Sequence, residues 1–235
     1  MAADRLRVAI SPDIPPYVIN QATDGLEVAL VGQALADYEL RFVQMPYAEL
    51  EIAVQQGRAD VSIGVQQMFA GVFYSGPFIT FVNDAISKRA AGLTIDRPRD
   101  LTRYRVLTWE NAWYDLGGEF GRLYAPGSPY RVKYAEFADQ REQVRRFWAV
   151  PDNVAVIDRA IFFWFSRQMG HSAGEVRVHD LFAPVTDFRV AFRDATVRDA
   201  FRRGLDRLCD SGNYRALLDR YGIVLERTVC QRYGR

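Results

Sequence analysis

The chain has 235 residues, 49% of them apolar and 25% charged, with 30 basic and 29 acidic side chains. That is enough chain for one large or two modest domains with an ample core. A net charge of +1 gives no field to draw it to nucleic acid or to an anionic membrane, and no apolar run approaches the roughly 18 residues of a membrane span.

A strand is predicted over 6–10, then an amphipathic helix over 25–38 whose period is set by Leu26, Ala29, Leu30, Gln33 and Leu35. A strand over 39–43, a helix over 48–56 closed by Gly57 and a buried strand over 61–65 complete a βαβαβ unit. Between Phe78 and Ala90 the chain reads as one extended segment passing into a second lobe. That lobe is expected to begin with a strand over 100–108, then helices over 113–123 and 136–148, a strand over 154–157 and a helix over 159–169. Residues 188–192 read as the return crossing, and two helices over 196–221, broken at Asp210-Ser211-Gly212, are expected to pack on the first lobe.

The reading is an α/β fold of two lobes, each a mainly parallel sheet flanked by helices, joined by a two-crossing hinge. Lobe 1 is placed at 4–85 and 186–235, lobe 2 at 86–185. Ligands of open α/β sheets gather beyond the carboxyl ends of the strands, so two such lobes facing each other would enclose a cleft able to close.

Cys209 and Cys230 are the only cysteines, and without a nearby His cluster they make a poor metal site. A disulfide tying back the tail after Gly222, which has few apolar residues of its own, is the expected role, against two unrelated thiols. His171 and His179 read as surface histidines, with no His-x-x-x-His or Gly-x-Ser-x-Gly pattern around them, and no phosphate loop follows any strand. No metal, cofactor or catalytic role is therefore expected.

The element order, with Leu6-Arg7-Val8-Ala9-Ile10, Asp60-Val61-Ser62-Ile63-Gly64-Val65, Tyr74-Ser75-Gly76-Pro77-Phe78 and Asn153-Val154-Ala155-Val156-Ile157-Asp158, resembles the polar-amino-acid-binding family of periplasmic solute-binding proteins. The resemblance spans nearly the whole chain. It implies a monomeric periplasmic protein that closes on a small-molecule ligand and delivers it to a membrane transporter permease. The opening Met1-Ala2-Ala3-Asp4 is read, in that light, as an exported chain trimmed of its signal peptide. In Ser11-Pro12-Asp13-Ile14-Pro15-Pro16-Tyr17, Asp13 and Tyr17 stand where the family places its first cleft acid and aromatic, and Tyr47 matches the second aromatic. Asp158 matches the acid that receives the ligand's amine; it equally suits an N-cap for the following helix, a role in which Asn would serve as well.

Two departures bear on the ligand. After Gly64 the family carries polar residues and an Arg whose guanidinium grips the ligand carboxylate, whereas Gln66, Gln67, Met68 and Phe69 follow here with no Arg. Where the family places a small residue and Thr, this chain has Trp109-Glu110-Asn111-Ala112-Trp113, in which Glu110 would repel an anion. The expected contacts are accordingly Asp13, Tyr17, Tyr47, Gln66, Gln67, Phe69, Trp109, Asn111, Trp113 and Asp158. The expected ligand is an amine held by Asp158 and aromatics, or a more apolar compound against Met68, Phe69, Phe73 and Tyr74, rather than a standard α-amino acid. Alternatives are the sensing domain of a membrane receptor, or an accessory protein acting on a protein partner such as a quinoprotein dehydrogenase.

Overall fold

The computed structural model describes residues 4–185 and 188–232; the expected lobe boundary at 186, the opening Met1-Ala2-Ala3 and the final residues 233–235 lie outside them. The chain divides into two compact units, one of Met1–Thr80 with Val185–Arg235 and one of Phe81–Pro184. Residues 81–85, assigned to the first lobe from sequence, thus belong to the second unit.

The first unit opens with β1 (Arg5–Ile10), α1 (Leu26–Ala34), β2 (Glu39–Gln44), α2 (Tyr47–Ala53), β3 (Val61–Val65) and β4 (Phe73–Tyr74). The second holds β5 (Asn83–Lys88), β6 (Arg105–Trp109), α3 (Ala112–Leu116), α4 (Gly118–Tyr124), β7 (Tyr134–Phe137), α5 (Gln140–Ala149), β8 (Asn153–Asp158), α6 (Arg159–Gln168) and β9 (Val176–His179). The chain returns through β10 (Arg189–Phe192) to α7 (Ala195–Asp210), α8 (Asn213–Arg220) and α9 (Val229–Arg232) in the first unit.

Both sheets are mixed. In the first, β2-β1-β3 run parallel, and β10 lies antiparallel between β3 and β4. In the second, β7-β6-β8 run parallel, and β5 lies antiparallel between β8 and β9. The parallel strands are the apolar runs read from sequence, and every residue of β8 is buried, as a central strand covered on both faces requires. β10 slips register against β3 between Arg189 and Val190, opposite Gly64. Gly64 has φ +77°, the left-handed geometry that glycine adopts most readily, and it supplies the extra residue of this bulge. α7 lies against α1 at Gly204, where a Cβ would stand 2.0 Å from the Ala34 carbonyl oxygen.

Three expected elements change. Residues 98–103 form a 3-10 helix and the strand begins at Arg105, because Pro98 fixes a helical φ and the Asp100 side chain accepts from the backbone N–H groups of Asp96 and Arg97. The helix over 113–123 is broken into α3 and α4 at Gly117 and Gly118, both at positive φ. The helix over 136–148 starts only at Gln140, capped by Asp139 on the Arg141 N–H at 2.8 Å, and Tyr134–Phe137 pairs as an edge strand with β6. His179, expected at the surface, is buried: Nδ1 donates to the Ile95 carbonyl at 3.0 Å, so Nε2 accepts from Ser87 Oγ at 2.9 Å. Burial, the largest influence, holds its pKa below the ordinary value.

Cys209 of α7 is disulfide-bonded to Cys230 of α9, their Cα atoms 5.4 Å apart across 21 residues of sequence. Reducing this bridge is expected to lower stability by about 3 kcal/mol on the chain-entropy account. Urea unfolding with and without reductant measures it, and coincident midpoints would show that the tail contributes nothing through the crosslink.

Candidate functional site

In the first unit the candidate residues gather at the carboxyl ends of β1, β2 and β3. Asp13 and Tyr17 lie in the loop leaving β1, Tyr47 opens α2 just after β2, and Gln66, Gln67 and Phe69 follow β3. Asp13 organises its own loop. Its carboxylate accepts from the Gln21 N–H at 3.0 and 3.1 Å and from Gln44 Nε2 at 2.8 Å. Asn20, Gln21 and Ala22 are all left-handed, with φ 53°, 58° and 58°, a run unfavourable to side-chain-bearing residues that the Asp13 bond helps hold. Tyr17 is 1% exposed and packs inward. Tyr47 is 55% exposed and presents an aromatic face at this edge. Its hydroxyl end lies beside Ser11 and Glu27.

Glu27, absent from the sequence-derived set, belongs to the same neighbourhood. It sits in the first turn of α1, 4% exposed, and burial pushes its carboxyl up to about 8, so the group is protonated at neutral pH. Its sequence signal is position. Glu27 precedes Leu30 and Val31 by three and four residues, which places it on the apolar face of the helix.

Beyond β3 the backbone is already engaged. The Gln66 N–H donates to both Glu51 carboxylate oxygens at 3.0 and 3.3 Å, and the Gln67 N–H donates to one of them at 3.0 Å. The Phe69 N–H donates to the Tyr74 hydroxyl at 2.8 Å. The side chains of Gln66, Gln67 and Met68 are exposed and Phe69 is half-buried. Arg89, a nearby cation in sequence, belongs to the second unit, where its guanidinium donates to the carbonyls of Gly174 and Val176 at 3.0 and 3.2 Å.

In the second unit Trp109 and Asp158 close the adjacent parallel strands β6 and β8 at the same edge. Trp109 Nε1 donates to Asp115 at 2.8 Å, and Trp109 and Trp113 both pack on the core around Phe120 and Tyr124. The Trp113 N–H donates to the Tyr134 hydroxyl at 3.2 Å. Both indoles are partly buried against that core. Asn111, left-handed at φ 62°, is exposed at the start of α3.

Asp158 is buried, and its carboxylate accepts three backbone N–H groups: Ala160 at 2.9 Å and Ile161 at 3.1 Å through one oxygen, Val82 at 2.9 Å through the other. It caps α6 and clasps the chain entering β5. Asn is not an equivalent here, because its NH2 would face an N–H whichever way the amide turned. Asp158→Asn is therefore expected to lower the stability of the ligand-free protein by about 1–3 kcal/mol. A melting temperature equal to that of the wild type would contradict the three-bond role. The next residue, Arg159, grips Asp84 with Nε–Oδ2 at 2.7 Å and Nη2–Oδ1 at 3.1 Å. Among the described residues no group of three His, Cys, Asp or Glu is placed to hold a metal ion, and no helix is long and apolar enough to cross a membrane.

No family model matches the chain, and no curated protein matches it in sequence. Solved structures match its fold. A histidine kinase sensor domain with similarity to periplasmic binding proteins aligns with TM-score 0.72 at 19% identity, over 96% of this chain and 99% of that one. The GluR0 ligand-binding core in complex with L-glutamate gives 0.73 at 14% identity, over 94% and 99%. An amino acid ABC transporter substrate-binding protein from Streptococcus pneumoniae, bound to L-arginine, gives 0.67 at 17% identity, over 92% and 94%. The fold is the two-lobed, periplasmic-binding-protein-like one that the sequence resembles.

Proposed function

We propose that the protein is a periplasmic solute-binding protein that takes up a small amine or apolar molecule, not a standard α-amino acid, and delivers it to a membrane transporter. It acts as a monomer without a cofactor, and it binds rather than catalyses. The observation that supports the ligand class is the edge beyond β3: residues 64–75 contain no Arg, and the N–H groups of Gln66, Gln67 and Phe69 already donate within the chain. A ligand carboxylate would find no guanidinium within that segment, and it would meet the Glu51 charge. What the edge offers is the open face of Tyr47 and the exposed Met68, suited to apolar groups and, through the ring, to cations.

A thermal-shift screen tests this. Glutamate, glutamine, arginine, lysine and histidine at millimolar concentration are expected to leave the melting temperature unchanged. An amine without a carboxylate, or an apolar metabolite, is expected to raise it, since a ligand at a hundred times its dissociation constant adds about 2.7 kcal/mol. A shift of several degrees with any of the five amino acids overturns the ligand class. The likeness to a kinase sensor domain supports a second reading, in which the same closure on a ligand signals instead of transporting. A kinase domain encoded in the same reading frame would decide for it, and a permease and ATPase in neighbouring genes would decide against it.

A further inference from the structure

We propose that Glu51 is a built-in anion that occupies an anion-binding nest at the carboxyl end of β3 and so determines the ligand class, shutting out carboxylate- and sulfate-bearing molecules. The geometry is that of a bound anion. Successive backbone N–H groups, those of Gln66 and Gln67, converge on one carboxylate at 3.0–3.3 Å, the arrangement by which concave backbone segments hold oxyanions. The left-handed Gly64 turns the chain as it enters this segment. The carboxylate comes from α2, whose position is fixed independently of the nest. Leu50 and Ala53 are buried, and Ser62 Oγ of β3 donates to the Leu50 carbonyl at 2.8 Å. Glu51 is therefore presented from a rigid element, and its charge, satisfied by two amide dipoles, stands where an incoming anion would have to sit.

The inference rests on the solute-binding reading for its consequence, ligand choice, but the occupied nest is testable by itself. Glu51→Ala removes the carboxylate and leaves both N–H groups directed at an open position. Titrated with sodium acetate or sodium sulfate and followed by backbone amide shifts, this variant is expected to show saturable changes at Gln66 and Gln67, at least tenfold tighter than in the wild type. Equal responses in the two proteins, or a folded variant with no response at either amide, overturn the assignment. If Glu51→Ala does not fold, Glu51→Gln takes its place: loss of the charge is expected to speed hydrogen exchange at Gln66 and Gln67 severalfold, and unchanged protection overturns the assignment. The outcomes separate from those of the ligand screen. Acetate binding gained by the variant while no compound stabilises the wild type upholds the nest and sinks the solute-binding reading; a stabilising amine with no acetate response in the variant does the reverse.

Discussion

Glu27 is expected to make the native protein lose stability as pH rises from about 4.5 to about 8, and Glu27→Gln is expected to remove that contribution. Glu27 is sealed in the first turn of α1, and burial lifts its carboxyl from the ordinary 4.5 to about 8. In that interval the folded chain keeps a proton that the unfolded chain releases, so the free energy of unfolding falls as pH rises. The contribution is complete below pH 4.5 and gone once pH has passed through about 8. A shift of this size corresponds to about 5 kcal/mol, large against the marginal stability of a domain. The neutral amide of Gln imitates the protonated acid and cannot ionise, so the variant should match the wild type near pH 5 and exceed it by several kcal/mol near pH 9. Parallel stability curves for the two proteins, measured by urea unfolding across this range, would show that Glu27 does not hold its proton in the fold.

Arg159→Met is expected to cost up to about 3 kcal/mol, below the full loss of stranding one partner of a wholly buried pair because the Arg159 side chain is 35% exposed. Asp84 is wholly buried on β5, next to β8, and both of its oxygens are held by the guanidinium of Arg159. Burial pushes the Asp84 carboxyl up and the pair with Arg159 pulls it back only in part. Without the guanidinium the acid must ionise unaided or take up a proton, so the deficit should grow as pH rises from the acid range. Replacing both residues, Asp84→Asn with Arg159→Met, removes the stranded charge and should restore much of the loss. A single substitution costing under about 1 kcal/mol would place the pair among ordinary surface bridges.

Within the parallel halves of the two sheets β1, β3 and β8 were legible because they are short, dense apolar runs bounded by polar or turn residues, and α7 and α8 because Ser211-Gly212 separates two periodic stretches. The misread segments share a cause. Tyr134-Ala135-Glu136-Phe137 alternates like a strand but runs into the polar helical stretch from Gln140, and periodicity alone does not show where one pattern gives way to the other. The site divides similarly. That Asp13, Tyr47 and Gln66 lie beyond the carboxyl ends of strands could be read from sequence, but what each does depends on who donates to whom. Asp13 serves its loop, Asp158 its helix and β5, and Trp109 the core. Glu27 and Glu51 escaped notice because a glutamate on a short helix looks solvated. The helical spacing of Glu27 from Leu30 and Val31 hinted that it is sealed from water, whereas only the fold shows that Glu51 faces two backbone amides.

The strand order of the first sheet also dictates a schedule for synthesis. β4 is joined to that sheet through β10, so Phe73–Tyr74, made early, waits for a partner that emerges more than a hundred residues later. The second unit, continuous from Phe81 to Pro184, is synthesised and emerges ahead of β10. The usual amino-to-carboxyl order of domain folding is therefore reversed: the inserted unit can finish first, while the surrounding one holds an unpaired edge until its carboxyl-terminal third arrives.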